Sequence, residues 1–65
     1  MKVIAHTKYG VFESIQKDAT KEEFEEMEDL LENLHITNWF SLGTDKGKLY
    51  FTKEMIADTL FILQK

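Results

Sequence analysis

The pattern of apolar and polar residues along the chain predicts five short strands and one longer helix. β-branched and aromatic residues alternate with polar ones over residues 2–16, and Gly10 provides the positive φ that a tight turn requires. We therefore predict a first hairpin, made of strands 2–8 and 11–16. A single strand bent at a glycine bulge is the alternative.

The clearest helical pattern follows this hairpin. Thr20 and Glu23 have the spacing of a capping box, in which the threonine hydroxyl accepts from the third helical amide and the glutamate reaches back. Apolar residues then recur at helical spacing, at Phe24, Met27, Leu31 and Leu34. We predict a helix over 21–35, with His35 in its last turn, where the helix dipole favours a cation.

The C-terminal half is rich in aromatic and β-branched residues. Two such runs, 39–42 and 48–52, flank a glycine-containing turn and predict a second hairpin. The tail is ambiguous, because its apolar residues fit both a helix and a buried strand. We favour one helical turn at 53–57 followed by a strand at 58–64, and a helical tail is the alternative.

Together these elements predict a single small α+β domain over residues 1–65. Its small antiparallel sheet carries one amphipathic helix on one face, in the order ββαβββ, or ββαββα if the tail is helical. We expect four phenylalanines to face the helix as core, namely Phe12, Phe40, Phe51 and Phe61. Trp39 and Tyr50 would then cover the outer face of the sheet.

Composition and charge narrow the class of protein. The chain has 65 residues, no cysteine, a formal net charge of −4 and no arginine, because all eight basic residues are lysine. Arginine is the side chain that most often binds phosphate and guanine in nucleic acids. Because the chain has no arginine and is acidic, we do not expect it to bind nucleic acid. It has no apolar run long enough to span a membrane and no apolar leader at its start, so we expect a cytoplasmic protein without membrane contact.

No pattern of reactive residues predicts catalysis. His6 and His35 lie far apart and have no further ligand at helical or hairpin spacing, so no metal site is expected. Ser14 and Ser41 lack a glycine-flanked elbow, and no glycine opens a helix as a phosphate loop would. We therefore expect no enzyme, no catalytic residue and no cofactor.

Almost all of the negative charge lies in the predicted helix. Residues 20–35 hold seven acids and one lysine, a balance of −6, and the rest of the chain sums to +2. No lysine follows these acids at i+4 to relieve their repulsion. We predict that one helix face binds a basic protein surface through Glu22, Glu25, Glu26, Asp29 and Glu32. A solvated face that serves solubility is the alternative.

Apolar residues are in excess near the C-terminus, where one helix covers only one face of the sheet. The excess predicts a homodimer or higher oligomer, because exposed apolar patches mark interfaces and a final strand offers a free edge to a second copy. The residues predicted to make this contact are Trp39, Tyr50, Leu60, Phe61 and Ile62.

A glycine hairpin, an aromatic strand and a final apolar strand occur in that order along the chain. They are carried by residues 4–13, 48–52 and 56–62. In this arrangement the chain resembles short uncharacterised proteins of tailed phages, particularly phages that infect marine cyanobacteria. The resemblance implies a phage protein in the host cytoplasm and favours a strand at 58–64, and it identifies no activity and no site.

We therefore expect a non-enzymatic, phage-type interaction module. It would bind a host or phage protein through the acidic helix face, an apolar strand edge or both. One alternative is a small structural or capsid-associated protein of the virion. Another is an acidic mimic of nucleic acid that inhibits a DNA- or RNA-binding protein of the host.

Overall fold

The computed structural model describes all 65 residues, and its elements follow the predicted order. They are β1 (Lys2–Thr7), β2 (Gly10–Glu13), α1 (Lys21–Glu32), a 3₁₀-helix (Leu34–Ile36), β3 (Trp39–Thr44), β4 (Gly47–Thr52), α2 (Lys53–Ala57) and β5 (Leu60–Gln64). The α+β class is confirmed, as are the hairpin reading of residues 2–16 and the helical turn at 53–57. The tail ends in a strand, so the order with a C-terminal helix is not formed.

The strands form two antiparallel sheets rather than the one we predicted. β1 is the central strand of a sheet with the order β2-β1-β5, and β3 pairs only with β4. A single backbone hydrogen bond joins the segment that follows β2 to the second hairpin. In it the Ile15 N–H donates to the Gly43 carbonyl at 3.1 Å. A helix separates β2 from β3 along the chain, so no short connection forces these strands to pair.

β2 is shorter than the predicted strand 11–16, and Ser14 explains its end. The Ser14 N–H donates to the Val3 carbonyl at 2.8 Å, as a regular ladder requires. The Val3 N–H, however, donates to the Ser14 hydroxyl at 2.8 Å instead of to a backbone carbonyl. A side-chain acceptor thus replaces the ladder bond, and regular pairing stops at Glu13.

Both hairpins close in the same way, through a threonine and a glycine three residues apart. The Thr7 hydroxyl donates to the Gly10 carbonyl at 2.9 Å, and the Thr44 hydroxyl donates to the Gly47 carbonyl at 2.8 Å. Each threonine oxygen also accepts a backbone N–H from inside its turn. Both glycines have positive φ, 134° and 127°, which any other residue adopts only with strain.

The N-terminus of α1 is as predicted, and its C-terminus is earlier. The Thr20 hydroxyl accepts from the Glu23 N–H at 3.1 Å, and the Thr20 N–H donates back to the Glu23 carboxylate at 3.0 Å. The helix stops at Glu32, because the Asn33 side chain donates to the Asp29 carbonyl at 2.7 Å and competes with the helical pattern. His35 therefore lies in the 3₁₀-helix and not in the last turn of α1.

The core is small and joins the two sheets. It consists of six fully buried residues, Val3, Ala5, Leu34, Leu42, Phe51 and Ile56. Phe51 on β4 contacts two half-buried rings, with centroid distances of 6.0 Å to Phe40 and 5.5 Å to Phe61. Phe40 and Phe61 also meet edge to face at 5.5 Å. These three rings, which we call the aromatic cluster, link β3, β4 and β5.

Phe12 is the exception among the four phenylalanines predicted as core. It is half-buried and lies outside the core, in a shallow recess with Thr44, Gly47 and Leu49 near the turn of the second hairpin. The cause is its strand: β2 is an edge of the three-stranded sheet, and Ala5 of β1 lies between Phe12 and Phe61 of β5.

We predict that Phe51→Ala removes most of the stability of the fold. Phe51 is only 1% exposed, and truncating a buried phenylalanine costs about 3–5 kcal/mol, most of what a domain of this size has. Urea unfolding followed by circular dichroism measures the loss, and Phe51→Leu provides a milder variant that stays folded. Tyr50→Ala is the matched control, since Tyr50 is 66% exposed. An equal loss in both alanine variants would contradict the assigned faces of β4.

Candidate interaction surfaces

The surface of this protein carries more large apolar side chains than its core. Six residues are fully buried, whereas nine large apolar side chains are exposed: Tyr9, Val11, Ile15, Leu30, Ile36, Trp39, Tyr50, Leu60 and Ile62. Single exposed apolar residues are normal in any protein, but neighbouring ones form patches that favour contact with another molecule. The grouping of these side chains is therefore the first guide to a functional surface.

The acidic face of α1 is formed as the sequence predicts. Its residues are Glu22, Glu25, Glu26, Asp29 and Glu32, all exposed. Their spacings of three and four residues place them on one side of α1, and Phe24, Met27 and Leu31, which are partly buried, occupy the opposite side. None of the five takes part in an ion pair, since the one ion pair of the chain joins Lys2 and Glu13 at 2.6 Å.

Glu23 differs from the other carboxylates of α1, because it serves the capping box. The hydrogen bond from the Thr20 backbone lowers the pKa of the Glu23 carboxyl below its ordinary value of 4.5, and the Thr20 hydroxyl and the charge of Lys17 act in the same direction. Glu23 therefore stabilises the start of α1 and belongs to the structure of the helix rather than to its acidic face.

The outer face of the three-stranded sheet is a second surface. Strand register places Val11, His6 and Leu60 side by side across β2, β1 and β5, and Ile4 lies beside Ile62 in the next row. Leu60 is 64% exposed and Val11 56% exposed, so no element of the chain covers this face. We call these five residues the outer sheet face.

The structure separates the residues predicted for self-association. Leu60 and Ile62 lie on the outer sheet face, whereas Trp39 and Tyr50 lie on the outer side of the β3–β4 hairpin. Phe61 does not share the face of Leu60 and Ile62: it alternates with them along β5 and is half-buried in the aromatic cluster, on the side where it was expected as core. The same alternation, applied to β1, places Ile4 and His6 on this outer face beside Ile62 and Leu60, and only the strand register reveals these neighbours.

A groove between α1 and β3 is the third surface. It has a volume of about 550 Å³ and is lined on the α1 side by Met27, Leu30 and Leu34, and on the other by residues 37–41. Trp39 stands 66% exposed on one side, and Leu30 is 44% exposed on the other. We call it the α1–β3 groove. Leu30 extends the apolar side of α1 as far as the groove, which the sequence analysis did not predict.

No three of the His, Asp and Glu side chains lie together as metal ligands would. Neither helix has the length and apolar character needed to cross a lipid bilayer. Comparison with protein-family models, curated proteins and solved structures finds no match to the chain.

We predict that Glu23 gives the folded chain a distinct dependence on pH. Because its pKa is lowered on folding, its contribution to stability is present above pH 4.5 and is lost as the pH falls through the lower, folded value. Glu23→Gln keeps a side-chain acceptor for the Thr20 N–H and should remove this part of the pH dependence. The measurement is urea unfolding at a series of acidic pH values.

Glu22→Gln is the control for this experiment, because Glu22 is the adjacent carboxylate and makes no hydrogen bond to the backbone. Both variants remove one negative charge from the first turn of α1. An identical change of the pH profile in both would show that general repulsion along the helix, and not the capping box, causes the dependence.

Proposed function

We propose that the protein is a non-enzymatic interaction module whose acidic α1 face binds a basic surface of another protein. The observation that carries this proposal is the position of five exposed carboxylates opposite the packed side of the helix, with no cation of the chain paired to any of them. The resemblance to phage proteins makes a host or phage protein the expected partner.

Electrostatics explain what such a face contributes. Like charges at i, i+3 and i+4 destabilise a helix by about 0.2–0.5 kcal/mol per pair, and the acidic face keeps several such pairs without relief. A partner that brings lysine or arginine removes this repulsion on binding. Charged surfaces also speed association and sharpen the choice of partner, more than they raise affinity.

We predict that capture of a protein partner depends on this face and on salt. Immobilised protein should retain a basic protein from a host lysate at about 50 mM salt and lose most of it at about 500 mM, where charges are screened within a few ångströms. The triple variant Glu25→Gln, Glu26→Gln, Asp29→Asn should lose most of this capture at low salt. Quantitative mass spectrometry of the retained proteins provides the measurement.

The matched control neutralises three acids outside α1, by Asp18→Asn, Asp45→Asn and Asp58→Asn. Both triple variants change the formal net charge from −4 to −1. The control should retain the partner at nearly the wild-type level. If both variants lose it equally, net charge alone governs the binding and the acidic face has no specific role.

We propose in addition that two copies associate through the outer sheet face. Edge pairing of β5 with its copy is opposed by α1, which contacts β5 and places Lys65 Nζ 5.5 Å from the ring centroid of Phe24. An antiparallel edge pair would place both α1 helices on the same face of one continuous sheet and bring their unpaired carboxylates closer together. Stacking of the outer sheet faces keeps both helices on the outside.

We predict that Ile62→Lys shifts the protein towards monomer. Ile62 pairs with Ile4 at the centre of the outer sheet face, and a lysine there would have to be desolvated in a stacked dimer. Sedimentation velocity over a range of concentrations measures the mass. Tyr50→Lys is the control, because Tyr50 is exposed on the other sheet. A wild-type chain that is monomeric at all concentrations would contradict self-association.

A further inference from the structure

The α1–β3 groove has the composition of a site for an apolar side chain. Met27 and Phe40 form part of its lining and are packed against the core, so its base is fixed. Leu30 and Trp39 project from its two sides with exposures of 44% and 66%. Tryptophan is enriched among the residues that dominate binding energy, and methionine adapts its shape to different apolar partners.

The α1 side of the groove is acidic, and the nearby lysine, Lys17, lines a neighbouring recess with Met27, Phe40 and Ser41. Seven acids and no lysine lie between Lys21 and Asp45, the stretch that contains every residue of the groove. On α1, Glu26 lies one turn before Leu30, so a carboxylate of the acidic face is next to the apolar side of the groove. On the β3 side the neighbouring polar residues, Thr37, Asn38 and Ser41, are uncharged.

We propose that the α1–β3 groove binds a cationic amphipathic segment of the partner protein. Apolar side chains of the segment occupy the space between Leu30 and Trp39, and its lysine or arginine side chains reach Glu26 and the acidic face. Charge complementarity selects this occupant: an acidic or purely apolar segment would leave the carboxylates beside the groove without counter-ions. The inference rests on the proposed function and adds the chemistry of the bound segment.

Helical segments with one apolar side commonly enter grooves of this kind. An apolar anchor gives such a contact its affinity, and the surrounding charges give it orientation and rate. The acidic face alone would attract any basic surface. The groove beside it distinguishes a segment that carries both apolar and basic side chains from one that is only basic.

The experiment uses Trp39, the only tryptophan of the chain, as a built-in reporter. The probe is a synthetic peptide of about 18 residues, made of leucine and lysine at helical spacing. A scrambled peptide of the same composition is the second probe, and a leucine–glutamate peptide is the third. Binding of the first peptide should move the Trp39 emission to shorter wavelength, as the indole leaves water.

Leu30→Ser should weaken binding of the amphipathic peptide by about tenfold or more, which corresponds to about 1.4 kcal/mol. Leu60→Ser is its matched control, since Leu60 is a 64% exposed leucine on the outer sheet face, and it should leave the affinity unchanged. Glu26→Gln should weaken binding and reduce its salt dependence. Asp45→Asn, at the turn end of the hairpin opposite Trp39, should do neither.

Three results would contradict the proposal that the groove binds a cationic amphipathic segment. Equal binding of the scrambled peptide would mean that charge alone attracts the probe, which leaves the proposed function in place and removes the groove. Loss of binding in Leu60→Ser but not in Leu30→Ser would move the contact to the outer sheet face. No binding of any peptide would exclude the groove as a binding site. The proposed function would still be tested separately, by the capture experiment with the acidic-face variants.

Discussion

The contact among Phe40, Phe51 and Phe61 is the interaction on which the rest of the structure depends. The two sheets share no ladder, and one hydrogen bond, from Ile15 to Gly43, bridges the segment after β2 and β3. Aromatic rings at centroid distances of 5.5–6.0 Å therefore hold β5 against the second hairpin. Each ring buries a large apolar area and adds the edge-to-face attraction of its π-system. The six fully buried residues, drawn from both sheets and from the helical segments, join the same halves beside this cluster.

The same contact decides which surfaces are left for other molecules. Because side chains alternate along a strand, turning Phe51 and Phe61 inward turns Tyr50, Leu60 and Ile62 outward. The helical segments pack on the inner side, where Leu34 and Ile56 join the core. The side chains that stay exposed on the outer sides are Leu60, Ile62, Trp39 and Tyr50. The uncovered apolar faces therefore follow from the inward direction of the phenylalanine rings.

The sequence predicted the acidic face more fully than it predicted the apolar surfaces. Helical spacing alone placed the five carboxylates of α1 opposite Phe24 and Met27, and the structure has them there. The apolar set was harder, since Trp39 and Tyr50 proved to lie apart from Leu60 and Ile62, on a different sheet. Phe61 was expected both in the core and in the contact between copies, because an excess of aromatic residues in the composition does not say which side of a strand each one occupies; its ring packs with Phe40 and Phe51.

The sequence by itself determined the local elements of this protein. The capping box at Thr20, the glycines of the two turns and the β-branched runs each act over a few residues, and neighbours in the chain are enough to specify them. Only the tertiary structure decided that the strands form two sheets and that a groove lies between α1 and β3. Those outcomes depend on which apolar faces pack against each other. Residues far apart in the chain form these contacts, and no local sequence pattern specifies them.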